Sequence, residues 1–239
     1  MVEQLSNMLV LDIETVPAYE SYSDLSDEFQ KLWVIKHNQL RLGEEITAEE
    51  SYSERAGIFA EFGKIVCISV GVITEQDGDI GMRIKSFYGD DERVMLSEFC
   101  DMLYHNYRDA KNKAICGHNI REFDIPYLCR RILINGLKMP SLLNFRGRKP
   151  WEVNHVDTMQ LWKFGDFKSY TSLKLLTAVF DIPTPKDDID GSDVARVYWK
   201  EKDLEKIVKY CEKDVIAVAR LWMKLESIDI VHDKNIIHV

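Results

Sequence analysis

Hydrophobic residues recur along this chain with two different periods, and the places where one period gives way to the other mark its elements. Met8 to Val16 is a short apolar run carrying Met8, Leu9, Val10, Leu11 and Ile13, which predicts a first strand. Pro17 ends it, because proline has no N–H to give to a ladder. Lys64 to Ile73 and Met82 to Tyr88 read as the next two strands, separated by the turn-forming run Gln76-Asp77-Gly78-Asp79. Ala114 to His118 and Val153 to Asp157 predict two more. Helical spacing governs the intervening stretches. Glu92 to Tyr107 gathers Met95, Phe99, Met102 and Leu103 on one side, and a helix from Asp124 to Asn135 is stopped by Gly136. Shorter helices are predicted near 158–164, 172–180 and 192–199, and a long one from Asp203 to about Ser227. Residues 18–60 differ in character. They are polar and rich in Glu and Ser, with amphipathic patches such as Phe29, Leu32, Trp33 and Ile35, and they predict a helical excursion. Strands followed by alternating strands and helices define an α/β chain with a mixed central β-sheet flanked by helices. With no internal repeat and no low-complexity linker, the reading is one domain over 1–239.

Composition changes this picture little, but charge does. Hydrophobic residues at 46% and charged residues at 30% are ordinary for a globular protein. The five cysteines (Cys67, Cys100, Cys116, Cys129, Cys211) are scattered without a CxxC pair, which predicts buried free thiols. The first apolar run is interrupted by acids and no run approaches a membrane span, so a cytoplasmic location is expected. A net charge of −9 disfavours broad non-specific binding to a polyanion. A site built from carboxylates to hold cations is itself acidic, however, and its metals reverse the local sign.

Three sets of acids stand out. Asp12 and Glu14 alternate with Ile13 on the first strand, so both point to one face, about 7 Å apart along it. Two acids on one face of an apolar strand are costly unless they are paired or metal-bound. Asp124 follows Gly117-His118-Asn119 and Phe123 at the start of a helix, where it serves equally well as a cap. His118 also reads as a satisfied structural histidine, and Phe123 as core. In the last helix Leu204, Ile207, Val208, Cys211, Val215, Val218 and Trp222 form an apolar stripe, with Tyr210 and Asp214 as i, i+4 neighbours on its flank.

Taken in order, these residues resemble the DEDD 3′→5′ exonucleases of the ribonuclease H-like fold, in the subtype with tyrosine in the third motif. Asp12-Ile13-Glu14 matches the first motif, Asn119-x3-Phe123-Asp124 the second and Tyr210-x3-Asp214 the third. Three further stretches are similar to the predicted exonucleases related to the proofreading domain of family B DNA polymerases: 61–66, 157–164 and 185–191. The resemblance implies that Asp12, Glu14, Asp124 and Asp214 hold two divalent cations, Mg²⁺ or Mn²⁺, with Asp12 bridging them. It implies that Tyr210 positions the attacking water, since a phenol of pKa about 10 is a weak base at neutral pH. Main-chain groups around Ile13 and Thr15, together with His118, Asn119 and Phe123, would contact the 3′-terminal nucleotide.

The expectation is therefore a metal-dependent exonuclease acting on the free 3′ end of single-stranded nucleic acid, DNA first. Residue types do not separate DNA from RNA, so an RNA-trimming enzyme of the same fold is the alternative. An inactive nucleic-acid-binding module is the other, and retention of all four carboxylates and the tyrosine speaks against it. Arg121, Arg130, Arg131, Lys138, Arg146, Arg148 and Lys149 form a candidate phosphate patch or a solvated face. Asp187, Asp188, Asp190 and Asp193 read as a loop entering a capped helix rather than as a metal site. Thr171-Ser172-Leu173 reads as a helix start.

Overall fold

The computed structural model describes residues 7–43, 45–76, 79–107, 113–149, 152–166, 168, 170–183 and 189–239. The strands are β1 (Met8–Pro17), β2 (Gly63–Gln76), β3 (Asp79–Tyr88), β4 (Ala114–Gly117), β5 (Val156–Asp157) and β6 (Ile236–His238). They form one mixed sheet in the order β5-β4-β1-β2-β3-β6. β1 lies antiparallel to β2 and parallel to β4, and β4 is parallel to β5. A strand with neighbours on both sides and helices on both faces is buried all round, which is why β1 is apolar nearly throughout instead of alternating.

The helices are α1 (Asp27–Leu40), α2 (Ala48–Arg55), α3 (Glu92–Asn106), α4 (Asp124–Ile134), α5 (Thr158–Lys163), α6 (Leu173–Val179), the single turn α7 (Val194–Arg196) and α8 (Leu204–Leu225). Leu9, Leu11 and Ile13 of β1 pack with Phe99 of α3 and Leu128 of α4 on one face. Met8 and Val10 point to the other face and meet Val215, Val218 and Trp222 of α8. Asp203 caps α8 by accepting from the Lys206 N–H at 3.0 Å. The helix stops where Ser227 turns left-handed and the Ile228 N–H returns to the Met223 carbonyl at 2.8 Å. Among the described residues no helix is long and apolar enough to cross a membrane.

Several boundaries differ from the sequence reading. β2 and β3 are longer than expected because Thr74, Glu75 and Gln76 remain laddered to Gly81, Ile80 and Asp79. Asp77 and Gly78 of the expected turn lie outside the described residues. The helix expected at 192–199 is α7 followed by a π-turn, Val197–Glu201. β6 was not anticipated. Its short strand is brought to β3 by the buried Arg220, which donates to the Val231 carbonyl at 3.0 Å and the Pro183 carbonyl at 2.9 Å. In the excursion, only Trp33 of the four anticipated apolar residues is buried, whereas Phe29, Leu32 and Ile35 are exposed. The small core there is one aromatic layer, Trp33 against Tyr52 at 5.4 Å and Phe62 at 5.0 Å, which is too thin to cover the rest of α1.

The pairing between β1 and β2 slips between Glu14 and Thr15, so that Glu14 faces Cys67 while Thr15 faces Ile65. Val66 is the extra residue of this bulge, and Val66 and Cys67 both join the core beneath α8. The Ile65 N–H donates to Glu92 Oε1 at 2.8 Å. Glu92 is in turn gripped by Arg131, whose Nε lies 2.9 Å from Oε1, while Arg131 Nη1 reaches the Ala60 carbonyl at 2.8 Å. Both side chains are nearly buried. Arg131 thus belongs to the bulge and not to the basic patch expected around it. Removing one partner of such a pair strands a buried charge. Arg131→Ala is expected to lower unfolding free energy by about 3–5 kcal/mol, with Glu92→Ala similar, measured by urea denaturation.

Candidate active site

The parallel strands β1, β4 and β5 run their carboxyl ends to the same edge of the sheet, and the acids gather there. Asp12 and Glu14 leave β1 on the face covered by α8. Asp124 opens α4, the helix that follows β4, and Tyr210 and Asp214 descend from α8 one turn apart. Glu212 fixes the rotation of α8, since one oxygen accepts from Ser86 Oγ at 2.7 Å and the other from His238 Nδ1 at 2.8 Å. With that face turned to β3 and β6, Cys211 points at the sheet and Tyr210 and Asp214 lie along the site.

Asp12, Glu14 and Cys211 offer ligand atoms that all lie within 4.8 Å of one another. Asp124 and Asp214 stand outside this cluster, yet both raise the proton affinity of Asp12 and Glu14. For Asp12 the main cause is burial, followed by Asp124, Glu14 and Asp214; its carboxyl is held well above the usual range. Glu14 is raised likewise, by burial first and then by Asp214. Asp12 keeps part of its surface open to solvent although protein atoms crowd it closely. Asp124 is pushed up to about 7 by burial, against the pull of its own N–H and that of Ile13. A set of buried carboxylates raised by one another and by poor hydration is the environment a hard cation relieves.

Asp124 is not a helix cap. Phe123 holds that position, and the Asp124 carboxylate instead accepts the Ile13 N–H at 3.3 Å. This bond locks the start of α4 to the strand that carries Asp12 and Glu14. It also commits the Ile13 N–H within the protein. Tyr210 donates its hydroxyl toward Asp214, and burial pushes its phenol far above the ordinary value, so the group stays protonated.

The residues expected around the terminal nucleotide are distributed as follows. Thr15 and Phe123 line a cleft of about 1000 Å³ that opens beside Glu14. Thr15 also bonds Tyr127, on whose ring Phe123 leans at 5.5 Å. Asn119 adopts a left-handed conformation, φ 61°, and its N–H donates to Asp157 Oδ1 at 3.0 Å. Its side-chain Oδ1 is buried without a partner, an acceptor waiting for a donor. His118 has both ring nitrogens engaged. Nε2 donates to the Thr171 carbonyl at 2.9 Å, so Nδ1 accepts from Thr158 Oγ1 at 2.9 Å. Burial depresses its pKa, which keeps the ring neutral.

Two participants escaped the sequence reading. Cys211 was placed at the centre of an apolar stripe, but that stripe lies over the acidic face of β1. Its thiol donates to Asp12 Oδ2 at 3.4 Å, and burial pushes its pKa well up, so it remains a neutral donor. Asp157 caps α5 through Met159 and Gln160, and also receives the N–H groups of Asn119 and Arg121, which fixes the loop before Phe123. Nothing in local spacing marks it for that second task. All five cysteines are free, and four of them are buried. Asp187 and Asp188 lie outside the described residues. Asp190 and Asp193 fold onto their own loop, Asp190 accepting from the Ser192 N–H at 2.8 Å and Asp193 pairing with Arg196 at 2.8 Å. Ser172 caps α6 as expected.

The mixed sheet flanked by helices on both faces is of the ribonuclease H-like α/β class. Residues 58–235 match the family described as predicted 3′–5′ exonucleases related to the exonuclease domain of PolB, and the chain belongs to that family. The match begins beyond β1, so the Asp12–Glu14 pair rests on the geometry above. A putative DNA polymerase of Frog virus 3 (isolate Goorha) is 25% identical over 158 residues, covering 56% of this chain and 15% of the polymerase. A DNA polymerase of Pyrococcus glycovorans is 24% identical over 139 residues, 52% of this chain and 17% of its own. An uncharacterized protein of Methanocaldococcus jannaschii is 29% identical over 143 residues, 56% of this chain and 77% of its own. The chain therefore spans less than a fifth of these two polymerases. Among solved structures, the family B DNA polymerase from Pyrobaculum calidifontis superposes with a TM-score of 0.55 at 17% identity, covering 92% of this chain and 24% of the polymerase. That likeness is one of fold.

An acid whose folded pKa exceeds its unfolded value holds its proton more tightly in the folded state. Ionising Asp124 therefore costs stability as pH rises from about 4 to about 7. The metal-free protein is expected to lose melting temperature across that window. Added Mg²⁺ or Mn²⁺ should raise it more at about pH 8 than at about pH 5, as read by differential scanning calorimetry. Asp124→Asn should flatten the metal-free profile.

Proposed function

We propose that this chain, acting as one unit, is a 3′→5′ exonuclease that releases nucleoside monophosphates from single-stranded nucleic acid, DNA in the first instance. The observation that carries the reading is the convergence of carboxylates from three distant segments, the buried Glu14 and Asp124 with the partly exposed Asp12 and Asp214, where Glu14 lines a cleft. Family membership supports the reaction class.

Asp12, Glu14, Asp124 and Asp214 would hold two divalent cations, Mg²⁺ or Mn²⁺, and the all-oxygen acid set fits hard ions. Such ions, when bound, supply Lewis-acid activation of water and of the leaving oxygen. The protein's own groups do the positioning. The Ile13 N–H and the Cys211 thiol orient Asp124 and Asp12 respectively. Tyr210, protonated and tied to Asp214, orients the attacking water through its oxygen and does not remove a proton. Phe123 offers a face for the terminal base, a contact tolerant of base identity, and Asn119, whose N–H is held by Asp157, sets the loop that presents it. His118, with both nitrogens occupied, holds the 171 loop in place of touching substrate.

The test is an end-labelled oligonucleotide assay on DNA and RNA with Mg²⁺, Mn²⁺ or chelator. Stepwise shortening from the 3′ end is expected, lost with chelator and lost in Asp12→Ala. Activity persisting in either case overturns the reading. Tyr210→Phe should lower kcat by about 100-fold while leaving the metal activation midpoint nearly unchanged. Equal loss of both would show that the hydroxyl acts on the metals and not on water.

A further inference from the structure

Two stretches that the carboxylate chemistry does not use, the excursion after β1 and the segment around the π-turn, both line the cleft beside Glu14. Arg55 and Ile58 of the first, and Ser192 and Trp199 of the second, line it together with Glu14 and Phe123. The excursion up to residue 57 lies outside the family match. It is nonetheless firmly built. Trp33 Nε1 donates to the Ala48 carbonyl at 2.8 Å, the buried Tyr52 packs against it, and Tyr127 of α4 donates to the Gly57 carbonyl at 2.9 Å. Arg55 ends α2 on this platform, three residues after Tyr52, and its side chain is exposed to the cleft.

The charges of the cleft are unequal. Arg196 is paired with Asp193 and Glu201, and Lys200 is paired with Glu20 at 2.6 Å. Arg55 has no acidic partner within ion-pair distance among the described residues, although Glu54 also lines the cleft. It is thus a guanidinium with no acidic partner among the described residues, lining the same cleft as Glu14, in a chain of net charge −9. Beside it Ile58 is 48% exposed, a large apolar side chain at the same wall. A cation next to an exposed apolar surface, in a groove leading to the reacting end, matches a single strand's alternation of phosphate and base.

We propose that the excursion is a strand guide. Arg55 binds a backbone phosphate of the single strand whose 3′ end reaches Glu14, and Ile58 packs against an adjoining base. The proposal rests on the exonuclease reading for its substrate. Arg55 touches no carboxylate of the site, so its contribution is to strand binding and not to the chemical step.

The test uses the full chain and fluorescein-labelled oligo-dT and oligo-U of about 20 nucleotides, with anisotropy titrations across a salt series in chelator and hydrolysis assays in Mg²⁺. Arg55→Ala and Arg55→Gln should weaken binding about 5–10-fold near 0.1 M salt and reduce the salt slope by about 0.7, the value of one phosphate contact on a single strand. KM should rise in step while kcat stays within about twofold, and a dinucleotide too short to reach Arg55 should be cleaved as by wild type. Arg55→Lys should restore the slope. Lys31→Ala, which removes an exposed charge elsewhere on the excursion, should change nothing. Unaltered binding and salt slope in both neutral variants overturn the proposal. A wild type that binds the oligonucleotides but never shortens them overturns the exonuclease reading instead, and the binding titrations still decide Arg55. A stronger response to oligo-dT than to oligo-U would identify the guided strand as DNA.

Discussion

Four like charges drawn into a poorly hydrated corner of the sheet are the constraint to which the rest of the structure answers. Burial is the main cause that raises Asp12, Glu14 and Asp124, and neighbouring carboxylates raise each of them further. The protein supplies only a few compensations: the Ile13 N–H for Asp124 and the Cys211 thiol for Asp12. These orient the oxygens without neutralising them. An apolar pocket would have been cheaper, and carboxylates in such surroundings are the kind of environment that a hard cation relieves.

Holding repelling groups in place requires a rigid frame, and the frame is unusually well fastened where the acids sit. The bulge between β1 and β2 falls immediately after Glu14, and Glu92 and Arg131 tie the N–H of the adjoining Ile65 to α3 and α4. On the other face Glu212 fixes α8 against β3 and β6, so that Tyr210 and Asp214 are delivered to the site instead of to solvent. Local irregularity and firm anchoring go together here. The bulge aims the side chains, and the buried ion pair prevents it from relaxing.

The same frame explains how a polar excursion and a π-turn can share one cleft. The excursion has a core of only a few aromatic rings, but Tyr127 ties Gly57 to α4, and Trp199 donates to the Pro17 carbonyl at 3.1 Å. Gly63 must be glycine because a Cβ there would lie 2.3 Å from the Tyr127 hydroxyl. Both segments are therefore held at the C-terminal end of β1, the strand that carries Asp12 and Glu14. Strand guidance and metal binding would share one rigid origin.

Local periodicity made the strands, the long last helix and the α/β class legible in the chain, because alternation and 3.6-residue spacing are properties of neighbouring residues. It also placed Asp12 with Glu14, and Tyr210 with Asp214, since each pair is two or four residues apart. Long-range relations were not legible. Whether Asp124 capped its helix or turned to β1 depended on the Ile13 N–H, 111 residues away. Cys211 looked like core because its helix face is apolar, and only the packing of α8 on the sheet showed which strand face lay beneath it. The exposure of Phe29, Leu32 and Ile35, the burial of Arg131 and the existence of β6 were decided in the same way, by partners distant in sequence. Residue spacing carries the chemistry each segment can offer; the folded sheet decides which offers meet.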